Sequence, residues 1–94
     1  MQDTDRDFAP APRQDLVVEE IDGDLVILDK MREQIHQLNG TASIIWSAIA
    51  GGQSSGKIAA KLVDLFDVSL ETATNDIKIV IGRFETLHLL TTNR

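Results

Sequence analysis

The stretch that decides the fold is Leu16-Val17-Val18-Glu19-Glu20-Ile21-Asp22-Gly23-Asp24-Leu25-Val26-Ile27-Leu28. Residues 16–21 and 25–28 are rich in β-branched and large aliphatic side chains, which suit a pleated, half-buried strand. Between them stands Asp22-Gly23, the dipeptide that most readily supplies the positive φ angles of a tight hairpin turn. A β-hairpin is therefore expected here. Asp29-Lys30-Met31-Arg32 reads as a second turn, and residues 33–38 as a third strand, shorter and more polar, as an edge position tolerates.

Beyond residue 38 the apolar period changes from two to between three and four. Asn39 is a good N-cap for a short helix over 41–50 that carries Ile44, Ile45, Trp46 and Ile49 and ends at Gly51-Gly52. Ser54 or Ser55 can cap a second helix to Phe66, with Ile58, Ala59, Leu62, Leu65 and Phe66 at helical spacing. Ser69 caps a long third helix, with Glu71 in its first turn, where the helix dipole favours a negative charge. Its core stripe is Leu70, Ala73, Ile77, Val80, Ile81 and Phe84. Three strands followed by three helices define a small α+β domain with a three-stranded antiparallel sheet at one end. Residues 1–14 read as a flexible N-terminal arm, with Asp3, Asp5 and Asp7 ahead of Phe8-Ala9-Pro10-Ala11-Pro12. The domain proper is expected over 15–94.

Composition narrows the function. The chain has 94 residues, 43% of them hydrophobic, enough for one small core. It carries no apolar run of the roughly 20 residues that span a bilayer and no hydrophobic segment behind its acidic start, so a cytoplasmic protein with no membrane partner is expected. Its net charge of -6 opposes the phosphate neutralisation that duplex binding needs, so nucleic acid is not an expected partner. With no cysteine and no tyrosine, and no phosphate-loop, zinc-protease or nucleophile-elbow motif, the chain is read as a non-enzyme without cofactor or metal. Gly51-Gly52-Gln53-Ser54-Ser55-Gly56-Lys57 has Ile58 where a phosphate loop needs Ser or Thr, follows a helix and not a strand, and reads as a helix–helix turn. Glu19, Glu20, Asp22 and Asp24 read as a solvated turn, Trp46 as core, His36 as a solvent-facing edge residue with a peptide contact as the alternative, and His88 as a support for the last turn of the third helix.

A helical wheel of the third helix is asymmetric. One flank of its core stripe is polar, with Glu71, Thr74, Asn75, Lys78 and Glu85. The other carries Asp76, Ile79, Val80, Arg83, Leu87 and Leu90. An apolar strip with spaced polar anchors has the composition of a peptide groove. If that flank faces the edge strand, an incoming peptide can pair with the backbone of Gln34, Ile35, His36 and Gln37 while Ile79, Val80 and Leu87 line pockets and Asp76 and Arg83 meet charges. The same residues also fit Ile79 as an isolated surface apolar side chain, or as a contact for the arm.

Val17-Val18-Glu19-Glu20-Ile21-Asp22-Gly23, Leu25-Val26-Ile27-Leu28-Asp29, Leu38-Asn39 with Ala42 and Ile45-Trp46, Ala50-Gly51-Gly52, Ile58-Ala59 with Leu62, Phe66-Asp67-Val68 and Asp76-Ile77 together resemble the PqqD-like family across about residues 15–90. The resemblance implies a winged-helix-like fold acting as a stand-alone recognition element for ribosomally made, post-translationally modified peptides. In that family the leader peptide adds as a strand beside the third strand, against the third helix. The implied partners are a precursor peptide and a tailoring enzyme, either a radical SAM enzyme or the leader peptidase of a lasso-peptide pathway. The stretch His36-Gln37-Leu38-Asn39 is closer to adaptors of the lasso kind. Departures fall at Ile35 or His36, where many relatives have an aromatic; at Arg32-Glu33, where relatives turn on a Gly; and at Gly40. They bear on which leader is recognised. Alternatives are a winged-helix DNA-binding regulator, for which the third helix lacks a basic face, and a structural subunit of an enzyme complex. An exposed edge strand also leaves a homodimer open.

Overall fold

Asp22 and Gly23 take φ angles of 53° and 87°, the positive pair that a mirror-image hairpin turn requires. In the computed structural model, which describes residues 10–91, they close the loop between β1 (Val17–Ile21) and β2 (Asp24–Asp29), with Ile21 opposite Asp24 and Val17 opposite Leu28. β3 (Gln34–Leu38) pairs antiparallel with the other side of β2, from Leu25 opposite Leu38 to Asp29 opposite Gln34. The strand order is β1-β2-β3, so β3 is an edge.

Three helices follow: α1 (Gly40–Ala50), α2 (Ser55–Phe66) and α3 (Leu70–Thr86). Asn39, Ser54 and Ser69 cap them, each side chain accepting a first-turn backbone N–H. Two helix ends close as Schellman motifs. Gly52 at φ 85° ends α1, with its N–H donating to Ile49 and that of Gln53 to Ala48. His88 at φ 63° ends α3, with its N–H donating to Glu85 and that of Leu89 to Phe84. This α+β arrangement is the one expected from the sequence.

The core lies between the sheet and the helices. Ile27, Ile45, Ile49, Ile58, Phe84 and Leu89 are fully buried, and the Trp46 ring meets Phe84 edge to face at 5.1 Å and 88°, a favoured aromatic geometry. Ser43 docks α1 on the end of the sheet: its hydroxyl accepts the Leu25 N–H and donates to the Leu38 carbonyl, both at 3.1 Å.

Several expectations need correction. Leu65, Phe66 and Leu70 are 54%, 46% and 60% exposed; they sit where α2 turns into α3, past Leu62 and Ala73, the last and first buried residues of the two helices. His88 and Leu90 lie beyond α3. His88 is exposed with a left-handed backbone, and Leu90 is buried in an antiparallel bridge with Pro12. Residues 11–13, read as arm, are hydrogen-bonded there: the Arg13 N–H donates to Leu89 and the Thr91 N–H to Ala11. Residues 1–9 of the expected arm lie outside the described residues.

Candidate functional site

Direct cross-strand neighbours share a face of a sheet. The register therefore puts Leu25, Ile27 and Asp29 of β2 with Leu38, His36 and Gln34 of β3 on the face that carries the core. Ile35 and Gln37 point to the opposite face, where Ile35 is 70% exposed. This corrects the solvent-facing reading of His36. Its ring is half-buried beside fully buried Ile27, and its Nε2 is hidden without a hydrogen-bond partner among the described residues. Alternation counted back from buried Leu38 requires that orientation.

Among the described residues β3 has β2 on one side and no strand on the other. Its alternate N–H and C=O groups face outward along that open edge. No Cα of β3 comes within 8 Å of any in α3, although both elements touch α1. The edge strand and the long helix thus both pack on α1 without meeting backbone to backbone.

On α3, Asp76, Val80, Arg83 and Leu87 fall within about 60° of one another at the helical repeat. Val80 and Leu87 are half-buried and pack on the core, while Asp76 and Arg83 are exposed. The opposite flank, Thr74, Lys78 and Glu85, is exposed throughout. Ile79 falls outside the group: it lies about 160° from Ile77 around the wheel and is 61% exposed. Six of the expected residues therefore line a strand edge or a half-buried flank by side chain or backbone, Asp76 and Arg83 stand at that flank's margin, and Ile79 is at its outer limit.

One residue of this region was missed in the sequence. Arg13 uses all five of its guanidinium N–H donors. Nη1 donates to Asp29 Oδ2 at 2.8 Å and to the His88 carbonyl at 2.9 Å, Nη2 to Asp29 Oδ1 at 3.2 Å and Asp15 Oδ2 at 2.6 Å, and Nε to Asp15 Oδ1 at 3.0 Å. Asp29 is 1% exposed and also accepts the Arg32 N–H. The Arg13 hydrogen bonds hold the carboxyls of Asp29 and Asp15 below the usual carboxylate range, and the two carboxylates raise the guanidinium above its ordinary value. Asp29 stands opposite Gln34, and His88 follows α3. Arg13 thus ties the end of β2 to the segment that follows α3. No sequence motif links residues 13 and 29.

Among the described residues no group of His, Asp and Glu side chains is placed to hold a metal ion, and no helix is long and apolar enough to cross a membrane.

A three-stranded antiparallel sheet followed by three helices, with an uncharged edge strand, defines a small α+β domain. The chain belongs to the coenzyme PQQ synthesis protein D (PqqD) family, whose model matches residues 24–90. No curated protein matches its sequence. Its fold is similar to that of the lasso peptide synthetase B1 complexed with the leader peptide, with a TM-score of 0.84 and 24% identity over 90% of this chain and 100% of that one. It is equally similar to TbiB1 in complex with the TbiA(beta) leader peptide, with a TM-score of 0.83 and 20% identity over 89% and 98% of the two chains.

Proposed function

We propose that this protein is a stand-alone recognition element that binds the leader segment of a ribosomally synthesised precursor peptide and delivers it to a modifying enzyme. The peptide adds as a strand to the open edge of Gln34, Ile35, His36 and Gln37. Val80 and Leu87 of α3 form the apolar wall, Ile79 extends it, and Asp76 and Arg83 read charge on the leader. The protein acts as a binding module in the cytoplasm, without chemistry of its own.

The carrying observation is the asymmetry of the sheet's two edges. β1, the other edge, presents Glu19 and Glu20, and charges of this kind deter an incoming strand. β3 is Gln34-Ile35-His36-Gln37-Leu38, with no charged residue. Membership of the PqqD family and similarity to two leader-bound domains support the same reading. Because one of the two is a lasso peptide synthetase B1, a leader peptidase is favoured over a radical SAM enzyme as the partner that receives the peptide.

The test is a backbone amide titration with the leader half of a short precursor peptide encoded beside this gene. Shifts concentrated on 34–38 and on the 76–87 flank, with a dissociation constant near 1 µM or about -8 kcal/mol, are expected. Saturable shifts confined to β1, or to the α2–α3 corner, would overturn the assignment of the site.

A further inference from the structure

An added strand has two faces, and the wall of α3 accounts for only one of them. The register shows what the other face meets. Val17 of β1, Leu28 of β2 and Ile35 of β3 stand side by side in one row across the face of the sheet turned away from the core. Glu19, Val26 and Gln37 form the next row. Val17 and Leu28 are half-buried by their neighbours, but Ile35 is 70% exposed. The apolar row simply stops at the open edge. A shallow cavity of about 330 Å³ lies at that point, lined by Leu28, Ile35, Gln34, Asp29, Lys30 and Glu33.

We infer that Ile35 is a specificity-determining residue on the outer face of the sheet: it selects an apolar residue of the bound peptide, one whose side chain points away from α3. This rests on strand addition at β3. Whatever the direction of the added strand, the residue opposite Ile35 shares its face, with Cβ atoms about 4.5–5.5 Å apart. An aliphatic or aromatic side chain there continues the row of Val17 and Leu28 and enters the cavity beside Lys30 and Glu33. The residue two positions away meets the Gln37 amide and is polar. An antiparallel peptide therefore reads polar, any, apolar from its N-terminus on its outer face, and a parallel one the reverse. The outer row also helps to fix register, because a slip of one residue exchanges the two faces of the strand.

The probe is a display library of random 12-residue peptides selected on the full chain, with binders placed on β3 by amide shifts. Selection on the unchanged protein is expected to enrich an apolar residue opposite Ile35 and a polar one opposite Gln37. Replacing that apolar residue by Ala should weaken binding about two- to five-fold. Against Ile35→Thr, which keeps a β-branched side chain and the strand, the same replacement should change binding by less than half that factor. Apolar preferences on the α3 side should survive. Binders that shift β3 but tolerate any residue opposite Ile35, or that lose as much on Ile35→Thr as on the unchanged protein, overturn the inference and leave strand addition standing. Enriched peptides that leave the β3 amides unshifted overturn strand addition itself, and the inference with it.

Discussion

Arg13 concentrates more of this structure's directional bonding than any residue the sequence singled out. Its partner Asp29 ionises below the usual carboxylate range. A folded-state value lower than the unfolded one stabilises the fold at every pH above the unfolded value, about 4, and that contribution disappears as pH falls through the folded value. Arg13→Met removes the partner and leaves a buried carboxylate exposed to its full desolvation penalty. The variant should melt below the unchanged protein near neutral pH, and the gap should narrow as pH falls from about 6 towards 3; a constant gap would mean that Arg13 acts by packing alone. Arg83 makes a second prediction. It is exposed on the flank opposite the fully polar one, so Arg83→Glu should leave the melting temperature within about 2 °C and weaken an acidic leader by roughly ten-fold or more, read by calorimetric titration. The orientation of His36 was misread as solvent-facing, although the alternation of Gln34, His36 and buried Leu38 carries it. The Arg13–Asp29 pair was not legible. Its members stand 16 residues apart, one in a proline-flanked segment and one at a strand end, and pairing across such a separation is decided by the packed core.

The elements were legible where local chemistry alone sets them. Asp22-Gly23 specified its turn, and Asn39, Ser54 and Ser69 specified three helix starts. The ends of α1 and α2 were legible too; the end of α3 was harder, because the core decides it. α3 stops at Thr86 so that Leu89 and Leu90 can be buried, and His88 takes the left-handed position that glycine usually fills. The turn between β2 and β3 shows the same conflict. Glu33 sits at φ 56° with its N–H on the Lys30 carbonyl at 3.3 Å, where an L side chain is strained by about 1–2 kcal/mol. Glycine relieves that strain and loses part of the gain to its freer unfolded chain. Glu33→Gly should therefore raise stability by up to about 1 kcal/mol in urea unfolding with an unchanged slope. The α2–α3 corner makes the complementary case. Leu70 lies on the same wheel stripe as Ile77, yet one is 60% exposed and the other 3%. Ile77→Ala should cost about 2–5 kcal/mol and Leu70→Ala less than about 1. Equal losses would mean that the corner is covered in solution. Periodicity marks a stripe, but how far along it the partner elements reach is a tertiary fact.

At the scale of the whole molecule, two helices leading into a long third one could be taken for a DNA-reading device, and charge decides against it. A duplex contact depends on Lys and Arg displacing counterions, and affinity then falls by roughly 10³–10⁵ between 50 and 200 mM salt for six to ten phosphate contacts. The exposed surface of α3 offers Glu71, Asp76 and Glu85 against Lys78 and Arg83, on a chain of net charge -6. Strand addition works by other means. In the proposed complex, main-chain hydrogen bonds along β3 and apolar contacts with Val80, Leu87 and Ile35 would involve no net charge, and salt would barely screen them. Only Asp76 and Arg83 would contribute a screened interaction. Leader affinity should thus change by less than about ten-fold over the same salt range, and a 20-base-pair duplex should show no binding even at about 50 mM salt. Fluorescence anisotropy with labelled leader and labelled duplex measures both. A steep salt slope for the leader would move the main contacts from the strand edge to the charged margin of α3, and retained duplex binding would return the helix pair to the reading that its charge now excludes.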